Sequence, residues 1–390
     1  MSAVLAAASP VAAADKPIRV MVVDDAVVAR SLLTRWVNAE PDMMVAACVR
    51  TGREAVDQLE RFDPDVVLLD VDMPELDGIA ALPLLLKEKR DLVVIMASTL
   101  TRRGAEVSFL ALSLGAADYV AKPSASNDAA ASATFHRELI EKIRHLGRRG
   151  RSLLRQIGQE TIAPARALAS PAPRAYEGVP QQGEAPLFTL RPFAPVLPRA
   201  LLIGSSTGGP QALNALVGQL GPAIERMPVL ITQHMPPTFT TVLAEHLTRV
   251  SGRRAREAEH DEAVVPGGIY VAPGGRHMRV VGDRHAPKIA LGDDPAINFC
   301  KPAVDPLFSS AAEVWRASTL ALILTGMGSD GTKGAGAIAA VGGSVIAQDE
   351  ATSVVWGMPR AAAQAGLCSA VLPLGQIAAK VNRVAAGDRS

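Results

Sequence analysis

Two groups of residues in this 390-residue chain have the types and spacing to do chemistry. The first is acidic. Asp24 and Asp25 follow the apolar run IRVMVV, Asp70 ends the run VVLLD, Ser98 follows VVIMA, and Lys122-Pro123 follows DYVA. Carboxylates gathered at one place repel one another unless a hard cation such as Mg²⁺ joins them through oxygen ligands. A nearby lysine then balances a phosphoryl group, and a serine hydroxyl hydrogen-bonds it. The second group is Ser206 in LLIGSSTGGPQAL, His234 in VLITQHMPP and Asp330 in LALILTGMGSDG. A hydroxyl nucleophile, a base and a carboxylate that orients the base are the parts of acyl transfer.

Both groups need a scaffold that delivers them to one edge. Apolar runs at 18–23, 44–48, 66–69, 92–96 and 119–121 read as strands covered on both faces, with helical patterns between them such as 28–38 and 53–62. Five such βα units give a doubly wound parallel sheet, whose strands present their carboxyl ends along one edge. The alternation resumes at 199, with strands at 200–204, 229–232, 268–272, 320–325 and 344–347, and helices at 211–220 and 332–341. Ser206, His234 and Asp330 all fall just after strands of this second sheet. Ser206 also precedes a helix start marked by Pro210, where free N–H groups favour an anion such as a tetrahedral acyl intermediate.

Composition narrows the classes. Hydrophobic residues make up 48% of the chain and charged ones 20%, enough for ordinary cores. Lysines and arginines number 40 against 39 acids, so no global charge draws the chain to nucleic acid or an anionic membrane. Cys48, Cys300 and Cys368 lie far apart, which excludes a disulfide framework and fits a reducing, cytoplasmic setting. No apolar run is long enough for a membrane span. No histidine cluster has zinc-ligand spacing, so no metal is expected at the second site. His246 and His277 are alternative bases, while His136, His145, His260 and His285 sit in polar contexts. The expected organisation is a disordered tail at 1–17, a first domain at 18–135, a basic then proline-rich linker at 136–198, and a second domain at 199–390. The proline content of that linker, eight between 160 and 200, supports an extended chain.

The pattern VVDDAVVAR…LLDVDMPELDG…MAST…GAADYVAKP resembles the response-regulator receiver domain. The resemblance implies that Asp70 accepts a phosphoryl group from a histidine kinase. It also implies that Asp24, Asp25, Asp70 and the backbone carbonyl of Asp72 hold Mg²⁺, that Ser98 and Lys122 contact the phosphoryl oxygens, and that Tyr119 is the switch aromatic. GSSTGGP, ITQHMPPTFT, YVAPGGRHM, LTGMGSDGTKG and AQDEATSVVWGMPRAA together are similar to the catalytic domain of the chemotaxis protein-glutamate methylesterases. That likeness implies a flavodoxin-like receiver linked to a doubly wound α/β hydrolase domain. It makes Ser206 the nucleophile, His234 the base and Asp330 the orienting acid, with Thr207 supporting the histidine and the Met327 N–H in the oxyanion hole. Ser205 stands where the family usually has alanine, and the long proline-rich linker has no transferable role. The implied substrates are glutamate γ-methyl esters, and glutamine amides, of chemoreceptors. A DNA-binding response regulator is a rival reading, prompted by Arg148, Arg149 and Arg151, but no helix-turn-helix pattern follows them. A catalytically silent scaffold is the other. The unphosphorylated receiver is expected to cover the catalytic edge.

Overall fold

The computed structural model describes residues 16–122, 129–160 and 188–388. The first domain runs β1 (Ile18–Val23), α1 (Val27–Asn38), β2 (Met43–Val49), α2 (Gly52–Phe62), β3 (Val66–Asp70), α3 (Gly78–Glu88), β4 (Val93–Thr99), α4 (Arg102–Ser113), β5 (Asp118–Lys122) and α5 (Ala129–Glu160). All four pairings in its sheet are parallel, in the order β2-β1-β3-β4-β5. Three of these helices, α2, α3 and α4, start at a side-chain cap. The Thr51, Asp77 and Thr101 side chains accept from the backbone N–H three residues on, at 3.1, 2.8 and 2.9 Å.

The second domain runs β6 (Ala200–Ser205), α6 (Gly209–Val217), α7 (Gly221–Arg226), β7 (Val229–Gln233), α8 (Phe239–Ser251), β8 (Ala255–Glu257), β9 (Ile269–Val271), β10 (His277–Val281) and β11 (Lys288–Gly292). It continues through α9 (Val304–Trp315), β12 (Thr319–Ile323), α10 (Thr332–Ala340), β13 (Ser344–Gln348), α11 (Met358–Gln364), β14 (Ala370–Leu372) and α12 (Leu374–Ala385). Seven strands form one parallel sheet, β14-β13-β12-β6-β7-β9-β8, and β10 pairs antiparallel with β11. The strand order reverses at β6, between β12 and β7. Crevices at such reversals are where open α/β sheets bind ligands.

Two expected borders move. Helix α5 runs through residue 135, because Phe135, Leu139, Ile140, Ile143 and Leu146 recur at helical spacing and are buried against the first sheet. The residues to about 147 therefore belong to the first domain, not to a linker. At the other end, residues 188–198 pack on the second domain: the Arg191 N–H donates to the Cys368 carbonyl (2.8 Å) and the Ala194 N–H to Ser344 Oγ (2.9 Å). Most of the expected tail, and 161–187 of the expected linker, lie outside the described residues.

The domains touch through α4 and α8. Phe109 stacks on His246 with ring centroids 5.0 Å apart, and Tyr119 stacks on Phe239 at 4.9 Å and 11°. Arg102 grips both oxygens of Glu245 at 2.7 and 2.9 Å. Gln211 Nε2 donates at 3.4 Å to the carbonyls of Ala116 and Ala117. Buried apolar residues of both domains form one continuous cluster across this contact.

Candidate active site and phosphoryl-acceptor site

At the first sheet's edge, Asp24, Asp25 and Asp70 each offer a carboxylate oxygen, and these lie within 4.8 Å of one another. Lys122 Nζ bridges Asp24 Oδ2 and Asp70 Oδ1, both at 2.7 Å. Burial raises the Asp70 pKa, with Asp24 adding to it and Lys122 opposing. Lys122 is raised in turn, burial being outweighed by the two carboxylates. The donor set, three hard oxygens on strand ends, fits a divalent cation of the Mg²⁺ type. Ser98 also belongs to this edge, but its hydroxyl is bonded to Ser108 Oγ on α4 at 2.8 Å, and Ser108 donates on to the Gly104 carbonyl. Asp72 lies two residues past β3 with its side chain exposed towards Arg103, 3.9 Å away. Tyr119 is buried between α5 and the second domain: its carbonyl accepts from Lys142 Nζ at 2.6 Å and its ring faces Phe239. Burial holds its phenol well above the usual range.

At the second sheet's reversal, Ser206 sits one residue past β6 and its N–H donates to the Thr325 carbonyl past β12 (3.0 Å). The two chain ends can approach because of Gly326. A Cβ there would meet Met358 Sδ at 2.4 Å and Ser206 Cβ at 2.8 Å. Gly208, at φ +73°, turns the chain into α6 in a conformation that glycine adopts without steric cost. Ser205 is fully buried and donates to Gln233 Oε1 at 2.7 Å, whereas Ser206 lines a cavity of about 600 Å³. Gln233 Nε2 ties the region together by donating to the carbonyls of Ser206 and His234.

His234 follows β7, and its Nε2 lies 2.7 Å from Asp330 Oδ2. Asp330 is held by three backbone donors: Val304 N–H (2.6 Å) and Asp305 N–H (3.0 Å) at the start of α9, and its neighbour Gly331 N–H (2.9 Å). Burial alone would raise the Asp330 pKa, but the histidine and these donors outweigh it and the net shift is down. An ionised Asp330 accepts only, so Nε2 keeps a proton in either charge state of the ring, and Nδ1 is the nitrogen that accepts once the ring is neutral. Cys300 Sγ lies 3.3 Å from that Nδ1. Burial pulls the His234 pKa down, yet Cys300 and Asp330 together raise it to about 10. Among the described residues no hydrogen bond joins Ser206 to His234. Catalytic contacts of this kind commonly tighten only when substrate binds.

Thr207 is buried beside Ser206, and its hydroxyl has no partner among the described residues, His234 included. Its carbonyl accepts from Thr325 Oγ1 at 2.9 Å. Met327 lines the cavity in the turn after β12. Tyr119, Arg137, Glu138 and Lys142 of the receiver line the same cavity.

A CheB methylesterase family model matches residues 201–381, and a response regulator receiver domain model matches residues 20–133. A Bradyrhizobium diazoefficiens protein named protein-glutamate methylesterase/protein-glutamine glutaminase of group 2 operon is 62% identical over 384 residues, covering 96% of each chain. The chain belongs to the CheB methylesterase family. A Nitrobacter hamburgensis member, protein-glutamate methylesterase/protein-glutamine glutaminase, is 60% identical over 389 residues and 99% of each chain. The solved Thermotoga maritima CheB methylesterase catalytic domain is 41% identical, covers 48% of this chain and all of its own, and superposes with a TM-score of 0.47.

For this CheB chain the other histidines stand apart from the candidate triad. His277 is fully buried and structural, its Nε2 3.0 Å from the Pro295 carbonyl and its Nδ1 accepting from Ala303 N–H at 3.1 Å. His246 belongs to the interdomain contact. Gln233 and Cys300 are the site residues that sequence reasoning missed. Gln233, immediately before His234, was in plain view; Cys300, 66 positions on, carried no signal. No helix among the described residues is long and apolar enough to cross a membrane.

Proposed function

We propose that Ser206, His234 and Asp330 form the catalytic triad of a receiver-controlled serine hydrolase. The chain is a protein-glutamate methylesterase and protein-glutamine glutaminase: it hydrolyses glutamate γ-methyl esters to glutamate and methanol, and glutamine side-chain amides to glutamate and ammonia. Its substrates are chemoreceptors, and its setting is the cytoplasm. The observation that carries this reading is the His234–Asp330 pair at 2.7 Å, opening on the same cavity as the accessible hydroxyl of Ser206.

In this reading the two imidazole nitrogens do different work. Nε2–H stays on Asp330, so Nδ1 takes the Ser206 proton as Oγ attacks the substrate's γ-carbonyl. The oxyanion forms between the β6–α6 and β12–α10 turns, against the Met327 N–H and the N-terminal dipole of α6. His234 then returns the proton to the departing methanol or ammonia, and water enters to release the acyl-enzyme by the same steps reversed. Thr207, next to Ser206 in the chain, would support the triad through its hydroxyl.

Control comes from the receiver. Asp70 is the phosphoryl acceptor from a histidine kinase, and Asp24, Asp25, Asp70 and the Asp72 carbonyl would hold Mg²⁺. The cation supplies charge neutralisation for phosphoryl transfer when bound. Lys122 balances the new phosphoryl group, and Ser98 leaves Ser108 to bond it, which disturbs the start of α4. Helix α4 and Tyr119 rest on α8, and α8 continues from the His234 loop. A bulky receptor helix cannot reach Ser206 while the receiver walls the cavity, so phosphorylation frees the site. The test is methanol release from methylated receptor helices by the full chain, with and without a small phosphodonor and Mg²⁺. A several-fold rise is expected. Equal rates would refute receiver control, and no release in either condition would refute the esterase.

A further inference from the structure

The three cysteines have different surroundings. Cys48 is exposed, with Thr34 Oγ1 3.7 Å from its sulfur. Cys368 is buried among apolar side chains, and burial pushes its thiol up to about 12. Cys300 stands in the wall of the active-site cavity, its Sγ 3.3 Å from His234 Nδ1, while Asp330 holds Nε2 on the far side of the ring. Thiol, imidazole and carboxylate thus lie in line. In this order the imidazole is placed to receive the thiol proton as sulfur attacks, and the thiolate is the reactive form.

Its placement is built rather than incidental. Cys300 and Ile297 exchange two backbone hydrogen bonds, 2.8 and 3.1 Å, closing a tight turn. Inside it, Asn298 and Phe299 both take positive φ, +48° and +66°. Consecutive non-glycine residues in the left-handed region are costly and persist only where their surroundings enforce them. Phe299 is exposed and lies under the Arg137 guanidinium of α5, 3.4 Å from the ring centre. A second feature of the same cavity leaves room for a small oxygen-bearing guest. Thr207 lines it, and its hydroxyl is almost wholly buried with no partner among the described residues. A buried donor left unmade costs about 1–3 kcal/mol, which an oxygen-bearing guest relieves.

We propose that Cys300 is a thiol-modification site inside the active-site cavity, where hydroperoxides oxidise it to a sulfenic acid that blocks His234 and reversibly silences the hydrolase. Only the silencing rests on His234 being the catalytic base; the oxidation itself rests on the Cys300–His234–Asp330 geometry. The thiol passes its proton to Nδ1. The sulfur then attacks one peroxide oxygen, so that an S–O bond forms and the O–O bond breaks. The departing hydroxide or alkoxide takes the proton from His234 and leaves as water or alcohol. Sulfur loses two electrons and the peroxide gains them. The new S–OH occupies the approach to Nδ1 that Ser206 needs, and a thiol reductant restores the site.

The test exposes the full chain to hydrogen peroxide in the presence of dimedone. Labelled peptides are then identified by mass spectrometry, and methanol release is followed in parallel without dimedone. Cys300 should label about tenfold faster than Cys48 or Cys368, following thiolate character and access. Activity should fall as Cys300 oxidises and return with dithiothreitol. His234→Ala should slow labelling at Cys300, whereas Ser206→Ala should label like the unaltered chain, which separates this proposal from the choice of nucleophile. Cys300→Ser and Cys300→Ala should each keep, under peroxide, whatever methanol release they show before it. Faster labelling of Cys48, inactivation of the Cys300 variants at the wild-type rate, or labelling of Cys300 without loss of activity would each overturn the proposal.

Discussion

Removing one ring from the interdomain contact should raise the resting activity by a calculable amount. His246 projects from α8 onto Phe109 of the receiver, centroids 5.0 Å apart and planes 24° from parallel. Burial and then Arg249 lower its pKa, so the ring is neutral near pH 7.5 and His246→Ala changes packing there without changing charge. An aromatic pair contributes about 0.5–1.5 kcal/mol beyond the area it buries, which is about a 2- to 13-fold change in the ratio of open to closed molecules. The unphosphorylated variant should therefore release methanol from methylated receptor helices about 2- to 13-fold faster than the parent chain. Its fully phosphorylated rate should be unchanged, because the open state no longer uses the contact. A fragment beginning at residue 188 should also be indifferent to the substitution, which guards against a direct effect on α8 and the His234 loop. Refutation would be an unphosphorylated rate that stays level while the fragment and the phosphorylated chain behave as stated.

Asp70→Ala should abolish base-labile phosphate incorporation from a small phosphodonor and leave the resting esterase rate in place; stoichiometric labelling of that variant would move the acceptor elsewhere. In the receiver, Arg144 holds the Asp42 pKa below the usual carboxylate value, with burial opposing and Arg148 assisting. A depressed carboxylate stabilises the fold above its unfolded pKa of about 3.9, and that stability is lost as pH falls through the lower folded value. Asp42→Asn should accordingly cost about 1 kcal/mol at pH 7 and progressively less below pH ~4, read by chemical denaturation at both pH values.

Much of both sites was legible because strand ends in a parallel sheet share an edge. Asp24, Asp25, Asp70 and Lys122 meet for that reason, as do Ser206 and the His234–Asp330 pair. Burial separates the two neighbouring hydroxyls: Ser205 is bonded to Gln233 on β7, whereas Ser206 lines the cavity, which favours Ser206 as the proposed nucleophile. The losses have different causes. Residues 136–155 read as a basic linker because their charges are conspicuous, while the apolar stripe of Leu139, Ile140, Ile143 and Leu146 finds its partner only in the folded receiver. Strands β8 and β14 are three-residue edge strands, and β10 and β11 form a separate antiparallel pair outside the alternation of strand and helix. Ser98 faces Ser108 instead of the open edge because α4 offers an acceptor within reach. Cys300 reaches His234 through a turn whose positive φ values fall on Asn298 and Phe299, where no glycine marks the bend.

The central claim is that Ser206 is the nucleophile served by His234 and Asp330. It is tested most directly by comparing methanol release from methylated receptor helices for Ser206→Ala and Ser205→Ala, each purified and phosphorylated in parallel. Ser206→Ala should lose roughly three or more orders of magnitude in rate while still accepting phosphate on Asp70. Ser205→Ala should stay within about tenfold of the parent, losing only a buried hydrogen bond to Gln233. A Ser206→Ala enzyme that keeps its rate, or a Ser205→Ala enzyme that loses it, would contradict the assignment.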